Sequence, residues 1–491
     1  MSFDRFRKTL PVRILIFLCL LLSLNNSCYR MRASKGGGQI GDIPGREIDI
    51  RDIALTPGYK IEPVATGLTF PTGIAFDETG KPYVIEAGYS YGEVWGEPKL
   101  LRLEANGATT TVATGQRNGP WTGIAFHDGA FYVAEGGQME GGRILRIGKD
   151  GKSTALVTDL PSVGDHHTNG PAIRDGYIYF GQGTATNSGV VGEDNGEFGW
   201  LHRKKDFHDI PCRDITLSGQ NYNSNNVLTE DPNDVASTGA FVAFGTATNP
   251  GQVIRGRVPC TGSIMRIPIG GGQPELVAWG LRNPFGLAFA PDGRLFVTEN
   301  GFDDRGSRPV WGTGDVLWEI RSGTWYGWPD FSAGKPISND EEFKVPEKDE
   351  VKPVLQSFPN NPPKPAAIFG VHASANGIDF APASFGYAGE AFVAQFGDMA
   401  PKVGKVLSPV GFKVVRVDVN TGVVRDFAVN KGRRNGPASW IGSKGLERPV
   451  AVRFDPSGQA LYVVDFGIMK MTEKGPQPQL KTGVVWKITK R

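Results

Sequence analysis

A repeated pattern of short strands constrains the fold of this 491-residue chain more than any other feature. Each copy begins with a small residue, Pro or Gly. A strand, a turn and a second strand follow, and the second strand ends in a polar residue close to Gly. Four short strands recurring at about 50 residues are the signature of propeller blades, so the sequence predicts an all-β, six-bladed β-propeller. The six copies begin at Pro71, Pro120, Asn169, Pro284, Asn376 and Pro449.

Composition agrees with this interpretation, because 67 Gly and 35 Pro favour many short strands joined by turns. The regular spacing expands twice, and we expect loop insertions on one face at about 190–258 and about 330–368. Long insertions in a propeller commonly shape a site or hold a partner. The formal net charge of +2 is too small to indicate nucleic acid as a partner.

The first 35 residues are predicted to precede the propeller, which occupies 36–491. Basic residues lead into an apolar run from Ile14 to Leu24, which has the length of a signal-peptide core and is too short to span a membrane. Ser27-Cys28 resembles a lipoprotein cleavage site with Cys28 as the lipidated residue; ordinary secretion with cleavage nearby is the alternative. Both predict export to the periplasm or outer surface, with a lipid anchor as the only membrane attachment.

Cysteine usage supports an oxidising compartment. Cys19 and Cys28 lie in the leader, which leaves Cys212 and Cys260 as a pair, and we expect a disulfide between them. The chain has no CxxC or CxxCH motif, so neither a zinc knuckle nor covalently attached haem is indicated.

Strand direction predicts where polar residues converge. Strands one and two of a blade are antiparallel, so the residue before the first and the residue after the second emerge on the same face. A single polar residue in this position commonly caps the sheet. A base, a cation and several amides at one channel mouth exceed what capping requires, so we expect a functional site there. The converging residues are His166, His167, Arg282, Asn283, His372 and Arg448 before first strands, and Glu86, Glu135, Gln182, Glu299, Asn300, Gln395 and Asp465 after second strands.

Four segments resemble a known family: DHHTNGPAI…IYFGQG, GLRNPFGLAFAPDGRLFVTENG, TWYGWPDF and LERPVAVRFDPSGQALYVVDFG. They resemble the soluble quinoprotein glucose/sorbosone dehydrogenases, including bacterial aldose sugar dehydrogenases, over roughly residues 55–490 apart from the insertions. The resemblance implies pyrroloquinoline quinone (PQQ) and Ca²⁺ on one face, and oxidation of a sugar or aldehyde by hydride transfer to the quinone. Without a cytochrome motif, the electrons would leave to a separate acceptor.

The resemblance also implies roles for individual residues. The family's general base lies in a His-x-x-Gly motif that matches His167, with His166 as the alternative, and a neutral imidazole suits removal of a hydroxyl proton. Arg282 matches the arginine beside the quinone carbonyls, where it acts in catalysis and in cofactor binding. Asn283 and Asn300 match positions that hydrogen-bond the cofactor.

Other matches complete the expected site. Arg448 matches a cation facing the cofactor's carboxylates, and His372, at the same mouth, joins the cofactor-binding set. The backbone carbonyls of Gly301 and Phe302 match the calcium site, since Ca²⁺ prefers hard oxygen ligands.

The chain departs from the family at three positions. The acidic residue that orients the base falls near Thr184, so Asp165 or Glu135 would have to serve. A family lysine falls near residues 396–399 and is missing, and the first of two arginines before the last blade falls at Leu446. The cations that could substitute for them are Arg305, Arg308 and Lys402.

Two other functions stay open at this stage. A calcium-dependent lactonase would use a cluster of carboxylates, and it leaves Arg282 and His167 without a role. A non-catalytic propeller that binds a protein or glycan through its insertions is favoured by the missing lysine, arginine and acid. The carboxylates available to a lactonase are Glu86, Glu135, Glu299 and Asp465.

Overall fold

Six antiparallel sheets, five of four strands and one of five, confirm the predicted β-propeller. The computed structural model describes residues 45–91, 94–137, 140–197, 199–338, 340–399, 408–472 and 475–491. The predicted leader and Cys28 lie outside these ranges. Among the described residues no helix is long and apolar enough to cross a membrane.

The blades follow one another along the chain, and within each the strands run in order from the central channel outward. Blade 1 comprises Pro71–Phe76, Pro82–Glu86, Lys99–Leu103 and Thr109–Thr114. Blade 2 comprises Trp121–His127, Ala130–Glu135, Gly142–Gly148 and Ser153–Leu160. Blade 3 comprises Thr168–Arg174, Tyr177–Gln182, Ser263–Pro268 and Glu275–Trp279.

The second half of the ring repeats this arrangement. Blade 4 comprises Pro284–Phe289, Leu295–Glu299, Gly314–Ile320 and Ala367–Val371. Blade 5 comprises Ala375–Phe380, Ala391–Gln395, Lys413–Asp418 and Val423–Asn430, with Ile53–Leu55 added at its outer edge. Blade 6 comprises Pro449–Phe454, Ala460–Asp465, Gly483–Lys490 and, as outer strand, Tyr59–Leu68.

Short elements lie outside the blades. The described α-helices are Glu193–Glu197, Trp200–Arg203 and Ala438–Ile441, and the 3-10 helices are Ile50–Asp52 and Glu341–Phe343. Two-stranded sheets pair Tyr89–Ser90 with Val94–Trp95, Ile215–Thr216 with Val253–Ile254, Asn221–Asn225 with Val235–Gly239, Phe331–Ser332 with Lys335–Pro336, and Met469–Thr472 with Gly475–Pro478.

The ring is closed by a strand from the beginning of the fold. Tyr59–Leu68 pairs antiparallel with Gly483–Lys490, from Tyr59 opposite Lys490 to Leu68 opposite Gly483. Buried apolar clusters fill the interface between each pair of neighbouring blades, including the one between blades 6 and 1. Closure leaves no sheet edge facing an open gap in the ring.

Glycine at the third position of the inner strand in five of the six blades allows the blades to pack closely around the channel. A Cβ on Gly123 would lie 2.1 Å from the carbonyl oxygen of Gly170 in the next blade. A Cβ on Gly286 would lie 2.2 Å from the carbonyl oxygen of Asn376. Because a carbon cannot approach an oxygen this closely, these positions exclude any side chain.

The two insertions pack against each other and share a hydrophobic core. The first occupies 183–262, between the second and third strands of blade 3, and the second occupies 321–366, between the third and fourth strands of blade 4. The second runs along the outer edge of blade 3, where Tyr326 N–H donates to Trp279 O at 2.8 Å. The shared core includes Trp328 and both cysteines, and a disulfide joins Cys212 to Cys260, as predicted.

Candidate functional site

The strand-end carboxylates Glu299 and Asp465 form hydrogen bonds inside the propeller. Glu299 accepts the backbone N–H of Arg282 and the indole N–H of Trp318. Asp465 likewise accepts the N–H of Arg448 at 2.9 Å and the indole N–H of Trp486 at 3.2 Å. The carboxylate after the second strand therefore ties the loop before the first strand to a tryptophan, a role that needs no ligand.

Arg282 lies at the mouth and is held on several sides. Its Nε donates to Asn187 O at 3.1 Å, and its Nη2 donates to Asn187 Oδ1 at 2.9 Å and to Asp303 Oδ2 at 2.8 Å. Nη1 lies 3.4 Å from Asn300 O. Arg282 is only 4% exposed, so the first insertion, through Asn187, fixes the direction of its guanidinium group.

Arg305 extends this network to three carboxylates. It pairs with Asp165 at 2.6 Å, with Asp194 at 2.5 Å and with Asp303 at 3.2 Å. Burial would raise the pKa of Asp303, but Arg282, Arg305 and His372 hold it well below its usual range. Burial raises the pKa of Asp165 to about 6 despite Arg305. The mouth thus contains two guanidinium groups and three carboxylates.

The two adjacent histidines face different surroundings. His166 Nδ1 lies 3.1 Å from Thr184 O and 3.0 Å from Thr184 Oγ1. Burial lowers the pKa of His166 well below its usual value, and the nearby charges of Arg282 and Arg305 lower it further. His167 instead packs against Tyr89 and Tyr91, with ring centroids 6.1 Å away in each case. Burial lowers the pKa of His167 to about 4.

Amide side chains connect the first strands of blades 3 and 4 to blade 5. Asn169 Nδ2 donates to Asn283 Oδ1 at 3.2 Å, and Asn283 Nδ2 donates to Asn300 Oδ1 at 2.8 Å. Asn300 Nδ2 in turn donates to Ala375 O at 3.1 Å. The structure therefore brings the predicted Asn283 and Asn300 together beside Arg282.

His372 joins this group from blade 5. Its Nδ1 lies 3.5 Å from Asp303 Oδ1, and its side chain is 9% exposed. Among the described residues no hydrogen-bond partner is present for His372 Nε2. A buried imidazole nitrogen in this position can hydrogen-bond a ligand at the mouth.

Two arginines considered from the sequence are directed elsewhere. Arg448 is fully buried, donates to the carbonyls of Gly397 at 3.2 Å and Asp398 at 3.1 Å, and lies between the rings of Phe396 and Phe412. Arg308 pairs with Asp330 at 2.6 Å beneath the insertions. These hydrogen bonds lie within the fold, and Lys402 lies outside the described residues.

The expected calcium ligands, the carbonyls of Gly301 and Phe302, lie in a segment that contacts Asp315 and Thr313. Asp315, next to Gly301 in space, already accepts the N–H of Gly301 and the N–H of Ala375, each at 2.9 Å. Thr313 Oγ1 lies 3.4 Å from Phe302 O. Within the described ranges no group of three or more His, Cys, Asp or Glu is placed to hold a metal ion, so calcium binding through Gly301 and Phe302 stays a prediction.

Sequence reasoning did not find Asn187, Asp194 or Asp303. Asn187 and Asp194 belong to the first insertion, where no strand register places them. Asp303 follows the second strand of blade 4 by four residues, so the paired Asp303-Asp304 before Arg305 was the only available signal.

Comparison with known proteins agrees with this fold and confirms the family resemblance over part of the chain. Residues 246–374 match the Glucose / Sorbosone dehydrogenase family. This segment contains Arg282, Asn283, Asn300 and His372. No curated protein sequence matches the chain.

Solved structures extend the likeness to nearly the whole propeller. The holo PQQ domain of pyranose dehydrogenase from Coprinopsis cinerea is 17% identical, over 91% of this chain and 98% of its own, with a TM-score of 0.52. A Trichoderma reesei enzyme of Carbohydrate-Active Enzymes Family AA12 is 16% identical, over 92% and 100%, with a TM-score of 0.54. The apo soluble aldose sugar dehydrogenase from Escherichia coli is 14% identical, over 88% and 100%, with a TM-score of 0.51. At these identities the likeness establishes a shared fold.

Proposed function

We propose that this protein is a PQQ-dependent dehydrogenase that oxidises a neutral sugar or an aldehyde. The observation that carries the proposal is the convergence of His166, Arg282, Asn283, Asn300 and His372 at one mouth of the channel. The family match over the segment that contains four of these residues supports it. The fold shared with sugar dehydrogenases supports it further.

The donor set at the mouth fits the reactive end of a quinone. A guanidinium group, two amides and an imidazole with an unused nitrogen are the donors that bind carbonyl and carboxylate oxygens. Arg282, Asn300 and His372 would hold the cofactor, which when bound would accept the hydride from the substrate carbon. Arg448 is directed into the blade, so Arg305 is the described cation that could meet a second anionic group.

His166 is the residue we assign as the general base. Thr184 Oγ1 donates to Thr186 O at 2.7 Å, so the two Thr184 oxygens present lone pairs to His166 Nδ1. Nδ1 therefore carries the hydrogen, and Nε2 is the nitrogen that can accept the substrate's hydroxyl proton. The lowered pKa keeps the imidazole neutral at pH 7.

We also propose export, with the electrons passing to a separate acceptor. The Cys212–Cys260 disulfide supports an oxidising compartment. Lipidation of Cys28 and calcium binding remain parts of the proposal that require their own measurements.

A second candidate is a propeller that binds a neutral glycan without catalysis. It is favoured by the pairing of Arg282 and Arg305 with the chain's own carboxylates, which leaves little positive charge for a tricarboxylate cofactor. The lactonase alternative loses support, because Glu299 and Asp465 are engaged in capping.

The deciding experiment is a titration of the purified protein with PQQ and Ca²⁺, followed by dye reduction with a panel of aldoses and aldehydes. We expect saturable changes in quinone absorbance and sugar-dependent reduction. His166→Gln should lower kcat by about 10²- to 10³-fold, in the range for loss of a general base, while PQQ binding persists. His167→Gln, the matched control, should change kcat by less than about tenfold.

Each contrary result has a distinct meaning. Absence of quinone binding by the wild-type protein would favour the glycan-binding candidate. A larger loss in His167→Gln than in His166→Gln, with both proteins folded, would move the base to the residue that the family motif indicates.

A further inference from the structure

We infer that Asp303 determines the charge of the ligands that the site accepts, because its carboxylate occupies the two guanidinium groups that an anionic ligand would need. This inference rests on the proposed function, since PQQ carries carboxylates that would compete with Asp303. Neutral sugars and aldehydes can approach the mouth without displacing it. Anionic ligands bind only when Asp303 turns away.

Among the described residues, one carboxylate contacts both guanidinium groups at the mouth and lies close to His372. Asp303 Oδ2 lies 2.8 Å from Arg282 Nη2 and 3.2 Å from Arg305 Nε. Its Oδ1 lies 3.5 Å from His372 Nδ1. A ligand carboxylate would seek the same donors, because guanidinium groups bind carboxylates with charge-assisted hydrogen bonds.

Asp303 is the carboxylate of the network that is best placed to move. Its side chain is 20% exposed, whereas the side chains of Asp194 and Asp165 are 11% and 0% exposed. It lies between two strands of blade 4, in the segment 300–313, which has no regular secondary structure. An exposed carboxylate can exchange its partners for water at lower cost than a buried one.

Displacement of Asp303 would affect the two arginines differently. Arg305 would keep its ion pairs with Asp165 and Asp194. Arg282 would keep only uncharged partners, namely Asn187 and the carbonyl of Asn300. The edge of Arg282 that now faces Asp303 would therefore be the position for the ligand's anionic group.

The network as a whole also disfavours extra negative charge. Two guanidinium groups face three carboxylates, so an anionic ligand adds to an existing excess of acidic groups. Removing the Asp303 charge should strengthen binding of an anion by about tenfold, as expected for one like-charge contact that is partly screened by solvent.

The test compares the wild-type chain with Asp303→Asn and with Asp304→Asn. The second variant removes the same charge from the adjacent residue, so it separates the local contact from the change in net charge. PQQ binding is measured by equilibrium titration of quinone absorbance. Independently, the Tm of each protein is measured in sodium sulfate and in sodium chloride of equal ionic strength. Sulfate serves as a small anion that can bind Arg282, and the difference between the two salts reports that binding.

We expect Asp303→Asn to bind PQQ about tenfold more tightly than the wild-type chain, and Asp304→Asn to bind like the wild-type chain. Sulfate should raise the Tm of Asp303→Asn more than that of the other two proteins. Equal or weaker PQQ binding by Asp303→Asn than by a wild-type chain that does bind PQQ overturns the inference. If none of the three proteins binds PQQ, the proposed function fails, and equal sulfate shifts would then overturn the role of Asp303 as well.

Discussion

The close packing of the inner strands can be tested at Gly286, in the inner strand of blade 4. A Cβ placed there would lie 2.2 Å from Asn376 O and 3.0 Å from Thr298 Oγ1. The same threonine hydroxyl donates to Asn376 O at 2.6 Å, so the added methyl group meets a hydrogen bond that links blades 4 and 5. Gly286→Ala should therefore force the two inner strands apart.

The expected size of this effect follows from the distances. A carbon and an oxygen require about 3.3 Å, so the backbones must separate by about 1 Å or the Thr298 hydrogen bond must break. Overpacking of this kind costs about 1–3 kcal/mol, and loss of a buried hydrogen bond adds about 1 kcal/mol. We expect the free energy of unfolding to fall by about 3 kcal/mol.

Urea unfolding followed by tryptophan fluorescence measures this difference. Gly73→Ala is the matched control, because Gly73 holds the same position in blade 1 and its Cβ would come no nearer than 3.2 Å to the Ile124 Cγ2 methyl and 3.3 Å to the Gly123 Cα. A side-chain methyl can shift where a backbone carbonyl cannot, so Gly73→Ala should cost less than about 1 kcal/mol. Equal stability losses in the two variants would refute the argument from backbone proximity.

Two further predictions concern the first insertion and the buried acids. Replacing Cys212 and Cys260 by alanine should lower the stability of the insertion by about 4 kcal/mol, because the disulfide closes a loop with a sequence separation of 48. Limited proteolysis of the variant should then cut within 213–259. A cleavage pattern identical to that of the wild-type chain would contradict this prediction. Burial raises the pKa of Glu447 from its usual 4.5 to about 7, so its contribution to stability is complete below pH 4.5 and is lost as the pH rises through 7. Glu447→Gln should remove up to about 3 kcal/mol of that pH dependence, and parallel stability profiles for variant and wild type would disprove it.

The blade repeat could be predicted from the sequence because each strand pair carries its own local pattern. The antiparallel register then placed Arg282, Asn283, Asn300 and His372 correctly at one mouth, since the end of a strand fixes the face on which a residue emerges. The relation between strand end and face depends only on the strand itself, so it applies to every blade whatever the sequence of the neighbouring blades.

Register does not determine where a long side chain turns after it leaves the strand. Arg448 occupies the expected position before blade 6, but its guanidinium group turns inward to carbonyl oxygens between two phenylalanine rings. The strand-end acids Glu299 and Asp465 were also placed correctly, yet they bind backbone N–H and indole groups. These choices depend on neighbouring blades and could not be predicted from one repeat.

The insertions were even less predictable, because their contacts join segments far apart in the chain. Asn187 holds Arg282 at a separation of 95 residues, and Asp194 pairs with Arg305 at a separation of 111. No periodic pattern marks Asn187. Only the packed structure shows that the insertion positions Arg282.

The closing strand Tyr59–Leu68 has a consequence for how the protein forms. Its partner, Gly483–Lys490, is synthesised more than 400 residues later, so this early strand must wait for the last strand of the fold. During that interval five blades can assemble in sequence, while the outer strand of blade 6 has no partner and the ring stays open. Exposed Lys60 and Glu62 in the waiting strand place charge on an edge that could otherwise pair with another chain. We therefore expect closure of the ring to be the final step of folding.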